Sequence, residues 1–422
     1  MTESSFASAT LAEPLHEKNE HPRRLRWTLG LAAVGVYVAL SGVPAVLAAL
    51  QLSTLDPANK QAALGIIAAL GALTGVISTP IWGSISDRTR SRFGRRSPIV
   101  VTGSAIVVVA LAIMGTASSV VALGIGACLL QLGFSAVQAP LAATIPDRVP
   151  PAARGVASSI LGFGIMLGAL IGQTLGASLA PVSVPLAYAA GGLFYLVTMA
   201  VFLHVNREES SLHHVHEPIR WSVFVRSLWV NPKKYPDFAW AFWGRGLMFL
   251  GYGAVNTYGF YILEDYLGFS QKQALATIPM MALCSFAGIA VSIVISGWLS
   301  DRVGRRKPFV VASSLIAGAS AIIPILSPTL TGILAYCVVS GIGYGCYLAV
   351  DNALISQVLP SSGSAAKDMG VAGIGSGSAE VLAPALAAAI VVGFGSYPPL
   401  FVIAIVVSLL GAACTIPIRG VR

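Results

Sequence analysis

The stretch at residues 83–98, GSISDRTRSRFGRRSP, returns in shortened form at residues 297–308, GWLSDRVGRRKP. Each copy joins two long apolar runs and places one carboxylate, Asp87 or Asp301, beside several arginines. The two aspartates are about half a chain length apart in a protein of 422 residues. A motif that recurs at half the chain length predicts a fold that is built twice.

The composition predicts a membrane protein. Hydrophobic residues make up 55% of the chain and charged residues 10%, so too few polar side chains remain to cover a soluble protein. Apolar runs of about 20 residues, the length that crosses a bilayer, recur along the chain. The net charge of +9 fits basic loops on the cytoplasmic side of a membrane, and we expect no nucleic-acid partner.

Twelve apolar runs predict twelve transmembrane helices, six on each side of a polar segment. The predicted domains are an N-terminal tail (1–26), a six-helix bundle (27–204), a linker with an amphipathic helix at 219–230 (205–237), a second six-helix bundle (238–418) and a C-terminal tail (419–422). The predicted spans are 27–50, 61–85, 98–117, 119–144, 154–180, 184–204, 238–263, 272–299, 308–327, 330–358, 369–393 and 397–417.

The basic residues predict the orientation of these spans. If both termini are cytoplasmic, 23 of the 26 lysines and arginines fall in cytoplasmic segments. Only Lys60 and Lys272 then lie outside, and Arg245 lies within a span. Because basic loops stay on the cytoplasmic side, we expect both tails and the linker to be cytoplasmic. The expected location is a plasma membrane, with a bacterial inner membrane as the leading case.

Further pairs of segments align between the two halves. VQAPL at 137–141 matches VDNAL at 350–354, and GVA at 155–157 matches GVA at 370–372, both at nearly the offset of the arginine motif. The first match places Gln138 and Asp351 at equivalent positions. Three matches at one offset predict two parallel repeats of six helices each.

These features together resemble the major facilitator superfamily. The resemblance rests on the twelve spans, the central linker and the motif G-x-x-x-D-R…G-R-R, which stands between spans 2 and 3 and again between spans 8 and 9. The first copy has four extra residues, 89–92, and D-R-T-R-S-R-F-G-R-R is similar to the form in sucrose/proton and glycoside–pentoside–hexuronide symporters. The resemblance implies an all-α membrane fold of two pseudo-symmetric six-helix bundles that transport by alternating access.

The resemblance implies that the motif forms a cytoplasmic gate. Its first glycine is expected to allow close helix contact, and Asp87 and Asp301 are expected to face the helix N-termini near Gly370 and Gly155. A role in membrane topology alone is the alternative for the arginines. The gate residues are Gly83, Asp87, Arg88, Gly94, Arg95 and Arg96 in the first copy and Gly297, Asp301, Arg302, Gly304, Arg305 and Arg306 in the second.

Three charged residues lie inside the predicted spans, and all three belong to the second half. They are Arg245, Asp351 and Glu380, at similar depths. A charge within a bilayer costs about 2.5–3.5 kcal/mol on insertion scales, so such residues need a partner or a function. We expect Arg245 to pair with Asp351 or Glu380 and one acid to carry a transported proton. Sodium is the alternative ion, and a static salt bridge is the alternative role.

Uncharged polar groups and aromatic rings are the candidates for binding a substrate. Such groups suit a sugar or another neutral polar solute, although each of them could instead serve helix packing or anchoring at the membrane surface. The candidates are Tyr37, Gln131, Gln138, Asn256, Tyr258, Tyr344, Tyr347 and Asn352, with Ser41, Gln173 and Tyr252 as further polar or aromatic groups.

No motif for an enzyme or an ATP-driven pump is present. A Walker motif and a nucleophile–base pair are missing, and we expect no cofactor or metal. For His213, His214 and His216 a solvated loop is favoured over a metal site. The leading function is a proton-coupled importer of a sugar-like solute, acting as a monomer. Proton-driven efflux of a drug or metabolite is the alternative, which the absence of a Gly-Pro pair in the fifth span disfavours.

Overall fold

A computed structural model describes residues 22–150, 153–208, 210–212, 232–358 and 365–418, with the backbone alone at 22, 301 and 365–372. This part of the chain is helical and contains no strand. The predicted linker helix at 219–230 and the three linker histidines lie outside the described residues.

The described helices follow the predicted order, and we number them α1 to α12. Helix α1 runs from Pro22 to Tyr37, continues through a π-helical turn at Val38–Gly42 and resumes at Val43–Leu55. The other helices are α2 (Lys60–Arg88), α3 (Ser97–Gly115), α4 (Val120–Arg148), α5 (Arg154–Leu179), α6 (Val184–Val205), α7 (Pro236–Thr257), α8 (Gln271–Val303), α9 (Lys307–Ser320, continued at Ile322–Leu326), α10 (Leu330–Gln357), α11 (Ala365–Phe394) and α12 (Pro398–Thr415).

Eleven of these helices are long and apolar enough to cross a membrane, counted within the described residues. The exception is α7, which contains Asp237 and Arg245 and is therefore less apolar. The predicted span at 238–263 is not one continuous helix. Helix α7 ends at Thr257, and a short helical turn (Gly259–Tyr261) and a π-helical turn (Ile262–Tyr266) follow, because the chain leaves helical geometry at Tyr258, ahead of a glycine.

The π-helical turn of α1 packs against a glycine stripe on α5. A Cβ atom on Gly172 would lie 2.6 Å from Gly42 Cα and 2.8 Å from the carbonyl oxygen of Val38. A Cβ atom on Gly168 would lie 2.9 Å from Tyr37 Cβ. The two backbones are therefore close enough that no side chain fits between them, which holds the Tyr37 region of α1 against α5.

We expect Gly172→Ala to destabilise the protein and Gly162→Ala to leave it unchanged or slightly more stable. Overpacking at Gly172 costs about 1–3 kcal/mol, whereas no described atom lies within 4 Å of a Cβ on Gly162 in the same helix. Thermal unfolding of the detergent-purified variants measures the difference. Equal melting temperatures would show that α1 can move away from α5 at little cost.

The two halves repeat contacts as well as helices. Arg96 Nη1 donates a hydrogen bond to the carbonyl of Pro140 (3.2 Å), and Arg306 Nη1 donates to the carbonyl of Ala353 (2.7 Å). Both arginines close a G-R-R motif, and Pro140 aligns with Ala353 in the predicted repeats. Equivalent arginines therefore donate to equivalent backbone carbonyls, on α4 in the first half and on α10 in the second.

Candidate functional site

A cavity of about 330 Å3 lies between the two halves. Of the predicted substrate-binding residues, Tyr37, Asn256 and Tyr344 line this cavity, together with Ser41, Gln173 and Tyr252. The rings of Tyr252 and Tyr344 stack with their centroids 4.0 Å apart and 4° between their planes. The cavity therefore presents a flat aromatic surface beside hydrogen-bonding groups.

The walls of the cavity differ in chemistry. Helices α1, α7 and α10 supply most of its hydroxyl groups and one amide. Apart from Gln173 and Ser285, α5 and α8 supply mainly apolar side chains such as Met166, Met281 and Phe286. None of the lining residues is charged. Such a cavity favours a neutral solute that has both a polar and an apolar face.

An ion pair lies next to this cavity in the second half. Arg245 Nη1 lies 3.0 Å from Asp351 Oδ2 and also donates a hydrogen bond to Asn352 Oδ1 at 3.1 Å. Asp351 is only 4% exposed, and its neighbour Tyr347, which is also buried, interacts with its carboxylate. Of the two partners predicted for Arg245, the structure therefore pairs it with Asp351.

Glu380 lies near the pair but is not bonded to it. No ion pair within 4.0 Å joins it to Arg245 in the described part of the chain, although the two side chains interact electrostatically. Glu380 is exposed, and its charge acts on Tyr37 of the first half and on Tyr344 in the cavity wall, so it faces the space between the halves. The Arg245 Nε–H has no hydrogen-bond partner among the described residues. Arg245 thus keeps one N–H group without a described partner and interacts electrostatically with a second carboxylate, Glu380.

Aromatic rings connect the ion pair to the cavity. The Arg245 guanidinium lies 5.6 Å from the centroid of the Phe249 ring, and Phe249 contacts Tyr344 edge to face at 5.8 Å. Tyr344 in turn stacks on Tyr252 in the cavity wall. A rearrangement at Arg245 can therefore reach the cavity through two ring contacts.

The remaining predicted substrate-binding residues lie elsewhere. Gln138 accepts a hydrogen bond from the Tyr37 hydroxyl (3.3 Å) behind the main cavity, and the buried Gln131 carbonyl oxygen has no partner among the described residues. Tyr258 is fully buried and donates to the backbone carbonyl of Gln61 (2.5 Å), so it does not line this cavity. The physical reason is the end of α7 at Thr257, which turns the next residue toward α2.

A polar cluster that the sequence did not single out closes one end of the space between the halves. Lys60 Nζ lies 2.7 Å from both Glu264 and Asp265, and Asp265 also accepts hydrogen bonds from Gln61 (2.9 Å) and the Tyr397 hydroxyl (2.7 Å). Lys60 and Gln61 belong to the first half and the other three residues to the second. We call Lys60, Glu264 and Asp265 the latch, and the end of the bundle where they lie the latch end.

We call the other end of the bundle the motif end, because residues 83–98 and 297–308 lie there. At the latch end a Cβ on Gly65 of α2 would overlap Ala388 of α11. Gly83 lies about five turns further along the same face of α2, yet no described atom is within 4 Å of its Cβ position. The same holds for Gly297, so the structure shows no close contact at either glycine among the described residues.

The first copy of the motif is neutralised from within the first half. Arg95 and Arg96 both form ion pairs with Asp147, while Asp87 is exposed. Burial lowers the pKa of the Arg96 guanidinium, and the charge of Asp147 opposes this effect. The Asp301 side chain lies outside the described residues, so the structure places no partner for it.

The four extra residues of the first copy bind the start of the linker. The Ser91 N–H donates to the Ser211 hydroxyl (3.0 Å), the Ser211 N–H donates to the Ser91 carbonyl (3.0 Å), and the Ser211 hydroxyl donates to the Thr89 carbonyl (3.0 Å). The extra segment, residues 89–92, therefore attaches the beginning of the linker to the first half.

Residues 27–366 and 276–421 match the sequence profile of the Major Facilitator Superfamily. Sucrose transport protein SUC3 of Arabidopsis thaliana is 30% identical over 159 residues, which are 31% of this chain and 26% of that protein. Niacin transporter NiaP of Acinetobacter baylyi is 36% identical over 76 residues, 18% of this chain and 17% of that protein. Each match covers only about a quarter or less of the relative's length.

Two solved structures resemble the fold along nearly the whole chain. A mutant of the nucleoside transporter NupG has a TM-score of 0.75 at 14% identity, covering 93% of this chain and 99% of its own. A bacterial homolog of the human lysosomal transporter Spinster, crystallised in an inward-facing and unoccupied conformation, has a TM-score of 0.67 at 17% identity, covering 95% of both chains. Both are transporters, and the likeness confirms the predicted all-α membrane fold.

Proposed function

Because the chain belongs to the major facilitator superfamily, we propose that it is a secondary active transporter that moves a neutral, sugar-like solute together with protons. The observation that carries this proposal is the uncharged cavity between two six-helix halves, closed at the latch end and next to a buried ion pair. The halves, at 27–204 and 238–418, would move relative to each other around this cavity, as alternating access requires.

A neutral polar solute fits the lining of the cavity. The Tyr252 and Tyr344 rings offer a stacking surface for a sugar ring, and Asn256, Ser41 and Gln173 can exchange hydrogen bonds with hydroxyl groups. A charged solute would remain unpaired, because no lining residue carries a charge. The names of the plant relatives, which are sucrose transport proteins, support the same class of solute.

The Arg245–Asp351 pair supports proton coupling. When Asp351 accepts a proton, its attraction for Arg245 falls, and Arg245 can turn toward Glu380. The exposed Glu380 can exchange protons with water in the space between the halves. Proton occupancy would thereby change the contact between α7 and α10 and bias the two conformations.

The distribution of basic residues supports the orientation. If the motif end faces the cytoplasm, the 23 basic residues of the tails, linker and motif loops lie inside. The conformation described above, closed at the latch, is then inward-facing. The inward-facing state of the Spinster homolog supports the same assignment.

Efflux of an amphipathic compound is the second candidate, and the apolar wall of α5 and α8 favours it. Met166, Met281 and Phe286 could hold the flexible or aromatic part of a drug or metabolite. Import and efflux use the same cavity but oppose each other in the direction of the proton gradient.

Transport by purified protein in liposomes tests the proposal. A symporter accumulates radiolabelled sucrose or another neutral glycoside only when the outside is more acidic, and a protonophore abolishes the accumulation. Accumulation driven by an inside-acidic gradient would favour efflux and reject symport. Binding of charged but not neutral sugars by the purified protein would contradict the assignment of the cavity.

A further inference from the structure

The two copies of the arginine motif differ in what compensates their charge. In the first copy, Asp147 forms ion pairs with Arg95 and Arg96. Glu208 Oε2 also accepts hydrogen bonds from the backbone N–H groups of Arg96 (2.8 Å) and Ser97 (3.3 Å) at the start of α3. Two carboxylates therefore bind this part of the first copy: Asp147 pairs with the arginines, and Glu208 accepts hydrogen bonds at the start of α3.

The second copy has equivalent cations but no equivalent carboxylates. Arg306 and Lys307 contact backbone carbonyls instead, on α10 and after α12. Within the described residues, no acid lies within 4.0 Å of a basic group from residue 302 to residue 307. In the sequence, Pro360 aligns with Asp147, and none of residues 381–422 is acidic. Within the part of the chain that the structure describes, these cations therefore have no acidic partner.

No described residue fills, in the second copy, the place that Glu208 fills in the first. Gly94 and Gly304 are equivalent and both have a positive φ, 90° and 65°. A Cβ atom on Gly94 would overlap the Glu208 side chain, whereas no described atom lies within 4 Å of a Cβ on Gly304. The second copy therefore has the backbone shape and the cations of an anion site, with room for the anion.

The surroundings of the second copy place it at the membrane surface. Trp298 on α8 is 60% exposed, and the exposed Arg302 guanidinium lies 5.1 Å from its ring centroid, one helical turn closer to the motif end. Val294 and Ile295, a turn before Trp298, are 71% and 55% exposed, as befits a surface that faces lipid tails. An exposed tryptophan beyond such a surface marks the depth of lipid headgroups.

We propose that the second copy binds the phosphate group of an anionic phospholipid through Arg302, Arg305 and Lys307 around Gly304, where the Glu208 carboxylate lies in the first copy. A phosphate accepts charge-assisted hydrogen bonds from guanidinium and ammonium groups and is favoured at the start of a helix, here α9. The lipid tails lie along the exposed apolar face of α8. The proposal does not depend on which solute is transported.

Lipid binding can be measured with the whole protein in nanodiscs and with a charge-matched control. The test variant is Arg302→Gln/Arg305→Gln, and the control is Arg90→Gln/Arg92→Gln, which removes two exposed cations from the first copy at the same end. Two lost hydrogen bonds to the phosphate, at about 1 kcal/mol each, should make the test variant bind phosphatidylglycerol roughly 30-fold more weakly, whereas the control should bind it as the native protein does. Thermal unfolding in phosphatidylcholine nanodiscs with increasing phosphatidylglycerol gives the affinity.

The expected result is a phosphatidylglycerol-dependent rise in melting temperature for the native protein and the control, and its loss in the test variant. A rise retained in the test variant, or lost equally in both, would overturn the proposal in favour of general charge attraction. Inorganic phosphate added to pure phosphatidylcholine nanodiscs should give no rise, and an equal rise would show a site for free phosphate instead. Native mass spectrometry, which counts retained phosphatidylglycerol molecules, checks the result independently of unfolding.

Discussion

Asp351→Asn is expected to abolish proton-driven accumulation of solute while leaving exchange of solute across the membrane. The asparagine keeps the shape of the side chain but cannot gain or lose a proton, so Arg245 no longer responds to the gradient. Coupling free energies of about 1–3 kcal/mol correspond to losses of roughly 5- to 150-fold in accumulation. Uptake by proteoliposomes with and without an inward proton gradient measures both activities.

Two further variants make this test decisive. Removing one member of a buried pair leaves the other charge unpaired and costs about 3–5 kcal/mol of stability, so Asp351→Asn alone can reduce the yield of folded protein. The double variant Arg245→Gln/Asp351→Asn removes both charges and should fold, exchange solute and fail to accumulate it. Glu380→Gln leaves the Arg245–Asp351 pair intact and therefore distinguishes the role of Glu380 from that of Asp351. Normal accumulation by the double variant would exclude the pair from coupling.

Lys60→Gln is expected to open the latch end and shift the protein toward the opposite conformation. It leaves Glu264 and Asp265 without their cation, and both contacts of Lys60 are largely shielded from water. A loss of about 2 kcal/mol from the closed latch changes the ratio of the two conformations roughly 30-fold. Spin labels at Ala58 and Ser270, one on each half, should report a longer distance between the halves in this variant.

Lys272→Gln is the matched control for the latch. Lys272 is an exposed lysine at the same end of the bundle, and it has no ion pair within the described chain. Its substitution removes the same charge and should leave the distance distribution unchanged. Identical distributions in the Lys60 and Lys272 variants would mean that the hydrophobic and backbone contacts at this end keep it closed without the latch.

The helices and the ion pair could be predicted from the sequence because the membrane imposes strong constraints. Long apolar runs have few alternative structures in a bilayer, and a charge within such a run has to find a partner. Arg245 and Asp351 were therefore recognisable before their distance was known. The preference of Arg245 for Asp351 over Glu380 was not predictable, because the depth of a residue in a span does not fix the direction of its side chain.

The latch and the place of Tyr258 could not be predicted for a different reason. Lys60 and Glu264 lie at the ends of helices, where charged residues need no explanation, and they are 204 residues apart in the chain. Tyr258 has the ring and hydroxyl group expected of a substrate-binding residue, but α7 ends one residue earlier and this determines the direction of its side chain. Both depend on how separate helices meet, which local sequence patterns do not contain.

The unequal distribution of charge between the halves has an evolutionary consequence. The interiors of α1–α6 carry no charged residue, whereas Arg245, Asp351 and Glu380 all belong to the second half. If these charges couple transport to protons as proposed, mutations in the first half can change the cavity lining without altering the coupling residues, so related proteins can differ in substrate and keep the same coupling. We expect natural variation in specificity among such proteins to concentrate around Tyr37, Ser41 and Gln173.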